Sequence, residues 1–302
     1  MTEFKTIPLN DRFGVEVIGL DVADAVLPQN FPALRALFEE HSALLFRHQS
    51  MSAETHLTLA GLFGPIEDRK ADERKKGEAF EIPEVSNMTK DGGLTGEMDL
   101  HTLNLKSNLL WHSDSTFLPV PALTNVLTAH VVTKTGGATE LASTRAAFAD
   151  MSPARQEELR GMVFRHHFSQ SRKMISEELS KLPMFNKWPE QQWPAIWTNP
   201  VNGREAIYVA SHVCGVVGMK QEAATEFVAE LTEHCTRPDY VYAHDWTPGD
   251  VLIWDQRAVL HRGTPWPVDQ ARRLSSICAS ATDMDGLALM RARKAELLAL
   301  RG

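Results

Sequence analysis

Among its 12 histidines the chain contains a single His-x-Asp triplet, His112-Ser113-Asp114, preceded by Trp111. The neighbouring residues are rich in Thr, Val, Leu and Phe. That composition predicts an extended strand, on which residues i and i+2 project from the same face. An imidazole and a carboxylate placed in this way can grip one ion. His261, a few residues after Trp254-Asp255, supplies a second imidazole. Two histidines and one carboxylate on one side of a metal leave the opposite positions open, an arrangement suited to non-heme Fe(II) and oxygen chemistry. The same donors also suit catalytic zinc, which likewise keeps an open position.

Residues 14–21 alternate weakly and predict an early strand, followed by a helix over 31–40 and a strand over 43–47. Ser52 caps an amphipathic helix that Gly64-Pro65 stops. Strand-like runs recur at 124–132, 139–141, 204–210, 240–243, 251–255 and 274–279, with helices opened by Ser152-Pro153 and over 221–235. Late, short strands with helices mainly outside them fit a mainly β fold with α decoration. The expected form is a double-stranded β-helix, or jelly roll, with flanking helices. Residues 1–302 are expected to form one domain. The charged stretch that starts at Glu67, and the glycines that follow it, make residues 67–107 either a solvated loop or a lid over a site.

Lys and Arg number 31 against 39 Asp and Glu, for a formal net charge of −8. This disfavours a nucleic-acid partner, because neutralising phosphates needs clustered basic side chains. A small-molecule substrate is the better default. No apolar run reaches the roughly 20 residues that cross a bilayer, and the first residues lack the apolar core of a secretory signal. A cytoplasmic protein without membrane partners, assembling as a homo-oligomer, is expected. Cys214, Cys235 and Cys278 have no close spacing, so they predict buried small side chains rather than disulfides or a zinc ribbon.

Further runs accompany the triplet: a Phe13-Gly14-Val15-Glu16-Val17-Ile18-Gly19-Leu20-Asp21 opening, Phe63-Gly64-Pro65, Trp111 through Phe117, Gly249 through Arg257, and Leu260-His261-Arg262. With these runs, over nearly its whole length, the chain resembles the Fe(II)- and 2-oxoglutarate-dependent dioxygenases of the taurine dioxygenase/2,4-dichlorophenoxyacetate dioxygenase (TauD/TfdA) family. The resemblance implies that His112, Asp114 and His261 are the iron ligands. It also implies that Thr139 and Arg272 hold the distal carboxylate of the co-substrate 2-oxoglutarate, and that Asn108 contacts substrate. Arg272 has the planar donor fork that matches a carboxylate, and a Thr hydroxyl adds one hydrogen bond.

The implied reaction uses O2 to hydroxylate a C–H bond of a small, carboxylate-bearing substrate, with 2-oxoglutarate converted to succinate and CO2. An aryloxyalkanoate is favoured, in which hydroxylation beside the ether oxygen gives a product that falls apart, as in catabolism. A sulfonate, a sulfate ester or an N-substituted amino acid is the alternative within the family. Several relatives place a second Arg four residues after the one on 2-oxoglutarate, whereas this chain has Ser276. A hydroxyl carries no charge, so either another residue supplies the cation, with Arg69, Lys70, Lys106 and Arg165 as the candidate replacements, or the substrate depends less on an anion grip. Outside the family, a zinc hydrolase and a noncatalytic jelly-roll binding protein remain as alternatives, and retention of Asp114 disfavours a halogenase.

Overall fold

The computed structural model describes residues 3–75, 77–96 and 99–301. Lys76, Glu97 and Met98, inside the expected lid over 67–107, lie outside the described residues. The strands are β1 (Lys5–Pro8), β2 (Val15–Ile18), β3 (Ala43–Phe46), β4 (Glu84–Ser86), β5 (Ala122–Val131), β6 (Thr139–Ser143), β7 (Val163–His166) and β8 (Gln191–Pro194). They continue as β9 (Ile196–Thr198), β10 (Glu205–Ile207), β11 (Val213–Val216), β12 (Val241–His244), β13 (Val251–Asp255), β14 (Val259–Gly263) and β15 (Arg273–Ser280). A seven-stranded sheet runs β1-β2-β3-β13-β5-β15-β4, and a three-stranded sheet runs β12-β6-β14. All pairings in these two sheets are antiparallel except β2 with β3.

The central strand β13 explains the layering. Successive strand residues face opposite ways. Leu252 and Trp254 therefore pack between the sheets, with Leu45, Leu127 and Leu274 of the large sheet and Leu141 and Val259 of the small one. Val251 and Ile253 face the other way, onto a core that includes Phe38 of helix Phe31–His41 and Leu59 and Phe63 of helix Ala53–Phe63. Because both faces of β13 are covered, its sequence is a continuous apolar run rather than an alternating one. Mostly sheet with flanking helices, the architecture agrees with the expected jelly roll.

The caps behave as expected: Ser52 accepts from the Thr55 amide at 3.0 Å and Ser152 from the Arg155 amide at 3.3 Å. The strand expected over 204–210 is shorter, because only Glu205–Ile207 finds a partner, in β9. The strand expected through Trp111 is not formed. His112 makes one isolated bridge and Asp114 already lies in a turn.

His56, in helix Ala53–Phe63, is buried under β5 and donates its Nε2–H to the Val126 carbonyl at 2.8 Å. Burial pushes its pKa down to about 4, against about 6.5 in an unfolded chain. Below pH 6.5 the unfolded chain therefore takes up a proton that the folded one refuses. Stability falls by roughly 1.4 kcal/mol per pH unit until the folded value is reached. Between pH 7 and 4.5, urea titrations of the native sequence should lose about 2–3 kcal/mol more than those of His56→Gln. Equal losses would show that this imidazole is not the titrating group.

Candidate active site

The two imidazoles are brought together by the backbone. The His112 amide donates to the His261 carbonyl at 3.0 Å, and the His261 amide returns a bond to the His112 carbonyl at 2.8 Å. Residues that exchange both bonds lie directly opposite each other, with their side chains on one face. The ring centroids are accordingly 4.1 Å apart. This bridge extends the small sheet by one residue beyond β14, which holds His261.

Asp114 arrives differently from the i, i+2 expectation. The chain leaves the bridge at once and turns, with Ser115 in the left-handed region at φ 60°. The carboxylate is fixed by Gln256, just past β13. Gln256 accepts the Asp114 amide through Oε1 at 2.9 Å and donates its Nε2–H to Asp114 Oδ2 at 2.6 Å. Asn125 Nδ2 adds a donor at 2.9 Å, and the Ser276 hydroxyl donates to Asn125 Oδ1 at 3.0 Å, which fixes that amide's orientation. Cys278 Sγ lies 3.5 Å from the same carboxylate oxygen.

One ligand atom each from His112, Asp114 and His261 falls within 4.8 Å of the others. Their donor chemistry fits a divalent ion. His112 donates Nδ1–H to the Leu110 carbonyl at 2.7 Å, so its lone pair sits on Nε2, 3.9 Å from Asp114 Oδ1. His261 Nε2 lies 3.6 Å from Asp114 Oδ2. Burial favours the neutral imidazoles a metal needs: it pushes His112 down, and it pushes His261 down to about 3 with help from His112. Burial alone would raise the Asp114 pKa, but His261, His112, Arg69 and the Asn125 amide outweigh it and hold the carboxyl well below its usual range. Trp254, 4.6 Å from the His261 ring between centroids, walls the site from the core.

Arg272 lies just before β15 and is buried. Its Nε and Nη2 donate to the Gly137 carbonyl at 3.2 and 2.9 Å, and its guanidinium lies 4.8 Å from the centre of the Trp266 ring. Gly136 and Gly137 both have positive φ, +70° and +71°, and a Cβ on Gly137 would come within 3.2 Å of Arg272 Nε. Two glycines therefore let the loop before β6 wrap the guanidinium. No acidic side chain pairs with Arg272 among the described residues. Thr139, at the start of β6, is buried, and its Oγ1 accepts the Trp246 indole N–H at 3.0 Å, leaving its own proton to donate.

Asn108 sits in the short 3-10 turn Ser107–Leu109, beside Gly263 two residues beyond His261, and its side chain makes no hydrogen bond to the described residues. Of the candidate cations, Arg165 pairs with Glu190, and Lys70 and Lys106 are exposed. Arg69 reaches Ser115 at 2.8 Å but is already paired with Glu67. Gln256, Asn125 and Ser276 were not anticipated from the sequence as supports for Asp114. Gln256 lies inside a recognised run, whereas nothing local marks Asn125.

The chain matches the family described as "Taurine catabolism dioxygenase TauD, TfdA family" over residues 5–278. It is 31% identical over 270 residues to the alpha-ketoglutarate-dependent 2,4-dichlorophenoxyacetate dioxygenase of Cupriavidus pinatubonensis, covering 88% of this chain and 94% of that one. It is also 31% identical over 278 residues to the (S)-phenoxypropionate/alpha-ketoglutarate-dioxygenase of Sphingobium herbicidovorans, covering 89% and 92%. The solved structure of AAD-2 in complex with Mn(II) and N-oxalylglycine superimposes with a TM-score of 0.85 at 28% identity, covering 93% of this chain and 98% of that chain. These matches set aside the hydrolase and the noncatalytic binding protein. With the His-Asp-His cluster assembled as that chemistry requires, the chain belongs to the TauD/TfdA family of Fe(II)- and 2-oxoglutarate-dependent dioxygenases.

Proposed function

We propose that this dioxygenase hydroxylates an aryloxyalkanoate-like carboxylate at the carbon bearing the ether oxygen, giving a hemiacetal-like product that collapses with loss of the aryl group. The observation that carries the reading is the convergence of His112, Asp114 and His261 on one face, with a buried, acid-free Arg272 as the anchor for a second carboxylate. The substrate class is supported by the printed activities of the two relatives, on 2,4-dichlorophenoxyacetate and (S)-phenoxypropionate. In this reading His112, Asp114 and His261 hold Fe(II), Arg272 and Thr139 hold the far carboxylate of 2-oxoglutarate, and Asn108 meets the substrate. When bound, the metal supplies dioxygen activation coupled to oxidation of 2-oxoglutarate to succinate and CO2.

The protein's own residues orient and exclude water. Gln256 and Asn125 hold Asp114 still, the Leu110 carbonyl holds the His112 tautomer, and Trp254 closes the core side. Residues 1–302 would act as one domain, with 67–107 as a lid. The setting would be cytoplasmic catabolism by a homo-oligomer with no nucleic-acid or membrane partner. The acidic net charge supports the exclusion of nucleic acid, and no helix among the described residues is long and apolar enough to cross a membrane.

Anaerobic addition of Fe(II) and 2-oxoglutarate should give a weak visible charge-transfer band that His112→Ala lacks. Succinate release should then be fastest with aryloxyalkanoates in a screen that includes sulfonates, sulfate esters and N-acyl amino acids. No band in the folded protein would overturn the ligand assignment, and a faster sulfate ester would overturn the substrate class.

A further inference from the structure

Four arginines are buried among the described residues: Arg145, Arg172, Arg257 and Arg272. Arg145 and Arg257 share Asp255, and Arg257 also holds Glu39. The other two have no acidic partner among the described residues. Burying a guanidinium without a counter-charge is costly, so such a group is expected to meet an anion from outside the chain. For Arg272 the 2-oxoglutarate carboxylate fills that role. Arg172 is left without one.

Arg172 lies in helix Phe168–Lys173 and is 7% exposed. Its Nη1 donates to Ser171 Oγ at 2.7 Å and its Nη2 to Asn104 Oδ1 at 2.8 Å, both neutral acceptors. Its Nε has no hydrogen-bond partner among the described residues. The guanidinium lies 4.2 Å from the Phe168 ring centre and 5.0 Å from that of Phe185, which orients it without neutralising it. Phe168 stacks on Phe117 at 4.1 Å, Phe117 lies 4.8 Å from the His212 ring, and His212 lies 6.3 Å from His112. This aromatic wall therefore runs from the unpaired cation to the metal-binding face. The charge of Arg172 also acts on His112, His212 and Asp114. Ser276, which stands where several relatives place a second Arg, is uncharged and occupied in holding Asn125.

We propose that Arg172 is the cation that seats the anionic group of the substrate, with the aryl body against the Phe117–Phe168 wall. This rests on the substrate reading above for the identity of the anion as a carboxylate. The requirement for an anion rests on Arg172 alone.

The test pairs phenoxyacetate, an aryl sulfonate and an aryl sulfate ester with neutral isosteres such as phenoxyacetamide, using the full-length enzyme with Fe(II) and 2-oxoglutarate. Arg172→Gln should raise the KM for the preferred anion about a hundredfold, with a much smaller change in kcat, and should erase its advantage over the neutral isostere. Anaerobic calorimetry should show binding of that anion weakened by a similar factor. Asn104→Asp places a carboxylate where Arg172 Nη2 now donates, without changing the side chain's size. It should likewise raise the anion KM, which a purely packing role for Arg172 would not produce. Affinity for 2-oxoglutarate and the thermal midpoint identify properly folded variants. Unchanged anion preference in both variants, or a native enzyme with no preference for any anion over its isostere, would overturn the proposal. A native enzyme that prefers the sulfate ester, with the preference lost in Arg172→Gln, would sink the aryloxyalkanoate reading and leave Arg172 in place.

Discussion

Asp114→Asn is expected to silence the enzyme as fully as Asp114→Ala, although the amide is nearly the same shape as the carboxylate. Gln256 Oε1 accepts the residue 114 amide, so its Nε2 must point a donor at the side chain. The Ser276 hydroxyl fixes Asn125 in the same sense, with Nδ2 as donor. Both donors converge on the position of Oδ2. An Asn at 114 must turn its carbonyl oxygen to them, which leaves its NH2 group, with no available lone pair, at the Oδ1 position beside His112, and removes the negative charge from both oxygens. Losing a group that only orients a ligand costs about 10- to 100-fold. Losing the anionic ligand itself should exceed that, with turnover falling on the order of a thousandfold or more. Succinate release and equilibrium dialysis of Fe(II) or Mn(II) would measure it, with near-native circular dichroism expected. Asp114→Asn that keeps more than a tenth of the native rate would show that this carboxylate is not a ligand. Gln256→Leu should fall in the milder range, because Asn125 still grips Oδ2.

The triad was legible because its chemistry is carried by rare residue types in a short run, His112 and Asp114, with recognisable company around His261. A pleated strand was expected to align residues 112 and 114, whereas a single bridge aligns 112 with 261 and a turn brings 114 back. Such a bridge is a long-range pairing that no local period encodes. The central strand β13 was visible because burial on both faces leaves an unbroken apolar run. β14, with the sequence Val259-Leu260-His261-Arg262-Gly263, mixes apolar and charged residues and gives no comparable signal. Edge strands such as β4, three residues long, are too short for any periodicity. Arg172 was missed for a different reason. In sequence it is one more basic residue beside Lys173, and what distinguishes it is the lack of an acid around it in space.

Arg272 carries the other large effect. Its Nε–H and one Nη2–H are spent on the Gly137 carbonyl, leaving Nη1 and the second Nη2 proton as a pair of donors for a carboxylate. Burial pushes its pKa down to about 10, so it remains charged at neutral pH, and ion pairing there is little screened. Arg272→Leu should raise the 2-oxoglutarate KM on the order of a thousandfold, since breaking a buried pair by removing one partner costs about 3–5 kcal/mol. Arg272→Lys should recover only part, because an ammonium cannot both hold the Gly137 carbonyl and present two parallel donors. Thr139→Val removes one neutral donor and should cost about tenfold or less. The sharper readout is selectivity between co-substrates. The native enzyme should strongly prefer 2-oxoglutarate over 2-oxovalerate, which has the same chain length without the distal carboxylate. In Arg272→Leu that preference should collapse while Fe(II) binding to His112, Asp114 and His261 persists. If the ratio stayed at its native value, the distal carboxylate would have to lie elsewhere, and the acid-free burial of Arg272 would need another anion.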